Sequence, residues 1–242
     1  MCFDTTASNT GRRNGTCVLL EQKLEKDLHL ACRHHILELV LTCVFSECVS
    51  SSSGPNVAIF KRFQQFWTSV DKESYETGHN HEEVAKSIKE DKDEIIGFAT
   101  SQLERNQPRD DYREFLELVI IFLGGISPRG VKFMAPGAVH HARWMAKAVY
   151  TLKIWMLRGQ FKLNKREEQG LRAICIFVSS VYVKAWFTAP LAVSAPNSDL
   201  CFLQRLVRYK SENPAISKVA SNKFAGHLWY VSEELVSLAF FD

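Results

Sequence analysis

The sequence predicts a mainly α protein with a small α/β part at its N-terminus. Three observations carry this. Within the first fifty residues, short apolar runs suited to strands alternate with helix-like periodicity. From residue 56 onward, apolar residues recur at helical spacing, with prolines where segments start and glycines where they stop. The composition is that of a folded chain: 242 residues, 46% hydrophobic and 24% charged, far from the charge-rich regime of disorder.

The opening "MCFDTTASNTG" reads as a short strand, Cys2-Phe3, delivering Asp4 into a small-polar turn. A carboxylate there stands at the rim of a sheet, or else caps the turn through its own backbone. Strands usually run ~5–6 residues, so the chain reads as starting inside a domain. Residues 15–27 follow as a helix with Val18, Leu19, Leu20 and Leu24 on one face, and "LHLAC" (28–32) alternates like a second strand. "RHHILELVLTCVFSECV" reads as an apolar helix burying Leu37, Val40, Leu41, Val44 and Phe45, and "SSSSGP" (50–55) as a loop.

The remainder reads as helices. "NVAIFKRFQQFWTSV" sets Phe60, Phe63 and Trp67 at helical spacing. Residues 82–106 place Val84, Ile88, Ile95, Ala99 and Leu103 on one side of a single helix and charges on the other. A helix starting near Pro108, Asp110 and Asp111 ends at Gly124-Gly125; the next runs from Pro136 to Gly159. Asn164 and Glu167 form a capping-box pair before a long helix to about Thr188. Ser198 and Pro214 open two more, and "HLWYVSEELVSLAFFD" reads as a last helix.

Composition also bounds the class. A net charge of +3 permits nucleic-acid binding without demanding it. The cations concentrate locally at Lys61-Arg62, at Lys162 with Lys165-Arg166, and over 205–210. Seven cysteines, an odd number, fit reduced thiols of a nuclear or cytoplasmic protein better than a disulfide framework. Residues 1–15 lack a signal peptide's apolar core, so secretion is not expected. The most apolar stretch, 173–196, is interrupted by Ser179-Ser180, Lys184 and Pro190; it predicts a buried helix and no membrane span.

Four stretches could carry chemistry. "FDTTASN" is the nearest to the pepsin-like Phe-Asp-Thr-Gly turn, but Thr6 stands where that turn needs glycine, no second copy exists, and the chain is helical; that reading is rejected. In "ACRHHILELVL", Cys32 and His35 are three apart on one helical face and could form half a zinc site, or pack as a buried helix start. Arg143-Trp144 is expected mid-helix, with Tyr150, Ile154 and Trp155 two to three turns on. It is either core or a base-stacking and phosphate-holding pair. Glu233 and Glu234 lie in an otherwise apolar helix and point about 100° apart. One of them faces inward and needs a partner such as a divalent cation.

Taken in order, "FDTTASN", "CRHHILEL", "ARW" and "LWYVSEEL" resemble the transposases of the hobo–Activator (hAT) superfamily, and most closely transposon-derived animal proteins in which "DTTASNTG" and "CRHH" recur. The match touches residues 2–41, 142–145 and 227–242. The resemblance implies a ribonuclease-H-like core interrupted by a large all-helical insertion: 1–49 partial core, 50–224 insertion, 225–242 a C-terminal helix returning to the core. It implies Asp4 and one of Glu233 or Glu234 as catalytic carboxylates on Mg²⁺, with two metals activating and stabilising oxygens during DNA cleavage and joining. It also implies DNA contact by Cys32, His35, Arg143 and Trp144, with transposon ends and self-association as partners, a nuclear location, and a truncated core. The family's first aspartate would lie upstream of Met1. Two-metal chemistry needs three carboxylates and this chain offers two, so no strand transfer is expected from it alone. The rival expectation is a helical interaction scaffold with no nucleic-acid role.

Overall fold

The computed structural model describes residues 2–3, 6–11, 13–25, 30–49, 57–136 and 143–227. It is mainly helical. At the N-terminus, β1 (Cys2–Phe3) and β2 (Leu30–Ala31) pair in parallel, Cys2 opposite Leu30 and Phe3 opposite Ala31. The small-polar run after Asp4 coils into a single helical turn, α1 (Ala7–Thr10). Its short side chains and the Thr6 carbonyl, which accepts from Asn9, Thr10 N–H and Thr10 Oγ1, make this possible. In α2 (Thr16–Leu24) the expected apolar face is not the buried one. Cys17 is covered, whereas Leu19 and Leu24 are half exposed.

α3 (Arg33–Cys48) buries Leu37, Val40, Leu41, Val44 and Phe45 as its periodicity requires, with Ile36 added. α4 (Ala58–Phe66) and the tight turn after it bury Phe60, Phe63 and Trp67. The single helix expected over 82–106 is two, α5 (Glu82–Ile88) and α6 (Lys92–Leu103). Both keep the expected inward residues. The break falls in "KEDKD", five charged residues in a row with nothing apolar to hold a helix to the core. α7 (Asp110–Phe122) is buried along most of its length and stops at Gly124, whose φ of +81° suits glycine.

The described part of α8 (Arg143–Met156) begins at Arg143, and residues 137–142, over which the helix was expected to start, lie outside the described residues. α9 (Lys165–Phe177) starts with the Asn164–Glu167 capping box. A wider π-turn (Val178–Tyr182) and α10 (Val183–Thr188) continue it. This 24-residue helix, Lys165–Thr188, is long and apolar enough to cross a membrane, and 72% of its apolar window is buried inside the protein. α11 (Ala195–Tyr209) starts three residues before Ser198 because Pro196 pre-sets its first turn. α12 (Pro214–Ala225) is capped by Asn213, whose side chain accepts from Ile216 N–H.

One apolar cluster runs from Ile36 in α3 to Phe224 in α12, so the N-terminal and later helices share a core. Where α9 crosses the end of α3, Gly170 lies against the Cys48 carbonyl and leaves no room for a Cβ. The loop 50–55 and the expected C-terminal helix beyond His227 lie outside the described residues.

Candidate functional site

The parallel ladder brings the two motif-bearing stretches to one end of the molecule. Phe3 pairs with Ala31; Asp4 is the next residue after the first and Cys32 the next after the second. Cys32 is the N-cap residue of α3, with extended backbone and no capping hydrogen bond from its side chain. It therefore stands at the entry of the helix that carries His35 in its first turn.

Arg33 and His34, between them, anchor the helix. The Arg33 guanidinium donates through Nε to Asp199 Oδ1 at 3.2 Å, and through Nη1 to the Ala189 and Thr188 carbonyls at 3.0 and 3.4 Å. These carbonyls end the long helix, where a cation is favoured. Burial pushes the Asp199 carboxyl up, and Arg33 opposes that shift. The His34 ring centroid lies 4.3 Å from that of Trp186. Burial, with Arg33 beside it, pulls the His34 pKa down, so its imidazole is neutral at neutral pH.

His35 is less committed. Its Nδ1 lies 3.2 Å from Glu38 Oε2, and both side chains are partly exposed. An imidazole oriented by a carboxylate can donate to an anion or move a proton. A zinc site is not formed: no group of three or more His, Cys, Asp or Glu is disposed around a metal among the described residues. At the opposite end of α3, burial, then the charge of Glu47, pushes the Cys48 thiol up to about 12.

The side chains of Arg143 and Trp144 lie outside the described part; the segment up to Pro136 is tied down by several hydrogen bonds. Glu117 takes two hydrogen bonds from Arg129, at 2.7 and 2.9 Å. Glu114 accepts from Met134 N–H at 3.0 Å, and Lys153 donates to the Met134 carbonyl at 2.7 Å. Tyr150 donates to the Pro136 carbonyl. Lys153 and Glu114 also pair with each other at 2.5 Å, both almost wholly buried. Burial pulls each toward its neutral form, raising Glu114 and lowering Lys153, while each holds the other charged. Further along α8, Tyr150, Ile154 and Trp155 are all core. The Arg–Trp stack described in this region is Arg158 over Trp155, 3.4 Å from the ring centroid. The i, i+3 spacing of those two residues was the available signal, and the sequence reading passed over it.

Asp4, Glu233 and Glu234 lie outside the described residues. Of the basic concentrations, Arg205 is largely neutralised: it donates to both Glu94 oxygens, at 2.8 and 2.6 Å, and to the Ser180 carbonyl at 3.1 Å. Comparison with protein-family models, with curated proteins and with solved structures finds no match to this chain.

Proposed function

We propose that this chain is a transposon-derived, hAT-like protein whose helical body contacts DNA. One observation supports the reading most: the register Phe3 opposite Ala31, which pairs the residue before Asp4 with the residue before the Cys-x-x-His segment in one parallel ladder. In a ribonuclease-H-like core, acidic and helix-start motifs meet at the strand ends in this way. His35, oriented by Glu38, supplies a hydrogen-bond donor for a phosphate near that end. Arg143-Trp144 supplies a cation and a stacking surface on α8. The Mg²⁺ implied by the resemblance finds no acidic cluster among the described residues.

A second reading, an interaction scaffold, is favoured by a different observation. Arg33 and His34 of the "CRHH" motif are engaged in packing α3 against the α10–α11 corner. The two readings part at Trp144. On the DNA reading, Trp144→Ala weakens binding to single-stranded or flipped nucleotides, by ~1–3 kcal/mol per stacked base, and leaves the melting temperature nearly unchanged. On the scaffold reading there is no DNA binding to lose, and the same substitution costs ~3–5 kcal/mol of stability. A thermal melt and a salt-titrated binding assay on this one variant decide between them.

A further inference from the structure

Two basic concentrations that stand 100 positions apart in the chain come together in the fold: the Arg62 Nη2 donates to the Lys162 carbonyl at 2.9 Å. The middle of α4 therefore lies beside the turn that opens α9. Arg62 is fixed there by two hydrogen bonds to Glu167, at 2.8 and 3.2 Å, and lies over the Phe161 ring, 5.2 Å from its centroid. Gln160 ties the same turn to residues 71–74, accepting from Asp71 N–H at 2.9 Å and donating to the Asp71 and Ser74 carbonyls at 2.7 and 2.6 Å. The backbone under this face is thus held before any ligand arrives. Lys61, Lys162, Lys165 and Arg166 are exposed and make no ion pair among the described residues. Lys162 also lines an open depression of about 460 Å³, with Arg62, Gln65, Phe66, Ser69, Gln160 and Phe161; Lys61 adjoins it in the chain at Arg62, and Lys165 and Arg166 follow Lys162 by three and four residues. Phe66 is partly exposed in it, its ring centroid 5.7 Å from that of Phe161.

Exposed cations on the segments that flank a partly exposed aromatic ring match a strand that carries phosphates at regular intervals and flat bases between them. An acidic protein segment would use the cations and leave the ring and the amide side chains idle. We propose that this face binds single-stranded nucleic acid, phosphates on Lys61, Lys162, Lys165 and Arg166 and a base against Phe66. It deepens the DNA reading above but rests on residues separate from Arg143-Trp144.

The test uses the full chain and a labelled thymidine oligonucleotide of about 15 nucleotides, read by anisotropy across salt. Lys162→Glu with Lys165→Glu should weaken binding more than about tenfold and shallow the salt slope by about 1.4, at roughly 0.7 per phosphate contact. The second substitution puts an anion in the first turn of α9, which favours the helix, so an unchanged melt is expected. Phe66→Leu keeps an apolar side chain and removes the π-face; it should weaken oligonucleotide binding about fivefold or more and leave heparin binding unchanged. The inference is overturned if the Lys162/Lys165 double variant binds like the parent. It is also overturned if polyglutamate binds as tightly as the oligonucleotide and Phe66→Leu changes neither. Loss of binding in an Arg143→Ala, Trp144→Ala variant, with the lysine variant unaffected, would sink this face alone and keep the DNA reading. No binding by the parent chain would sink both.

Discussion

His34 is held against Trp186 in its neutral form, and the consequence is a pH dependence. Its folded pKa lies below the ordinary 6.5, so the unfolded chain binds the extra proton more readily. The stability it contributes is complete above about pH 6.5 and is lost as the pH falls below it. His227 is shifted the same way by burial and adds to the same limb. His34→Phe, which keeps a ring against Trp186, should flatten that limb in urea midpoints measured from pH 7 downward; an unchanged slope would show that His34 does not titrate with folding. Lys153 makes a sharper case. Removing one partner of a buried pair strands the other charge, so Lys153→Met should cost ~3–5 kcal/mol in a denaturant melt. Pairing it with Glu114→Leu should recover much of that loss. Lys153 interrupts the apolar run "AVYTLKIWML", which marks its burial, whereas Glu114 stands only at the edge of "EFLELVIIF". Their partnership was not legible, because nothing local says which helix α8 packs against.

Elements were legible where local chemistry decides them. The Asn164–Glu167 box, the Gly124 stop and the α3 face follow from capping, positive φ and 3.6-residue periodicity. The misses arose where periodicity is indifferent to a break. Ile88 and Ile95 keep their phase across "KEDKD", so one helix and two helices predict the same buried side chains. Helix crossings were not legible at all. Gly170 reads as a weak point in α9 until the Cys48 carbonyl is seen against it. Gly170→Ala should therefore destabilise the protein by ~1–3 kcal/mol although alanine is the better helix former. A gain in stability in a thermal melt would contradict this crossing.

At the scale of the whole molecule, the mainly helical class was legible from proline starts, glycine stops and apolar spacing, whereas the long-range ties were not. Arg33 with Asp199, Arg62 with Glu167, and Glu94 with Lys184 and Arg205 each join distant segments, and no sequence spacing encodes them. The last has a pH signature. Partial burial pushes the Glu94 carboxyl up, but the hydrogen bonds from Lys184 and Arg205 outweigh it and hold it below the ordinary 4.5. Its stabilisation is present above about pH 4.5 and fades as the pH falls through the folded value. Glu94→Gln should shallow the acid limb of a melting-temperature profile below that pH, and a parallel profile would remove the tie.

The convergence of Lys61-Arg62 with Lys162 and Lys165-Arg166 belongs to the same class of feature, invisible in a chain of net charge +3 and evident once α4 meets the start of α9. On it, and on Arg143-Trp144, depends whether this helical body meets nucleic acid. Binding of the unmodified full chain to single-stranded DNA, titrated from about 50 to 200 mM salt, tests that most directly. Binding whose logarithm falls linearly with log salt, with a slope of about −2 to −3 for three or four phosphate contacts, is the predicted result. No binding at the lowest salt, or binding indifferent to salt, would contradict it and leave the packed scaffold as the account of this fold.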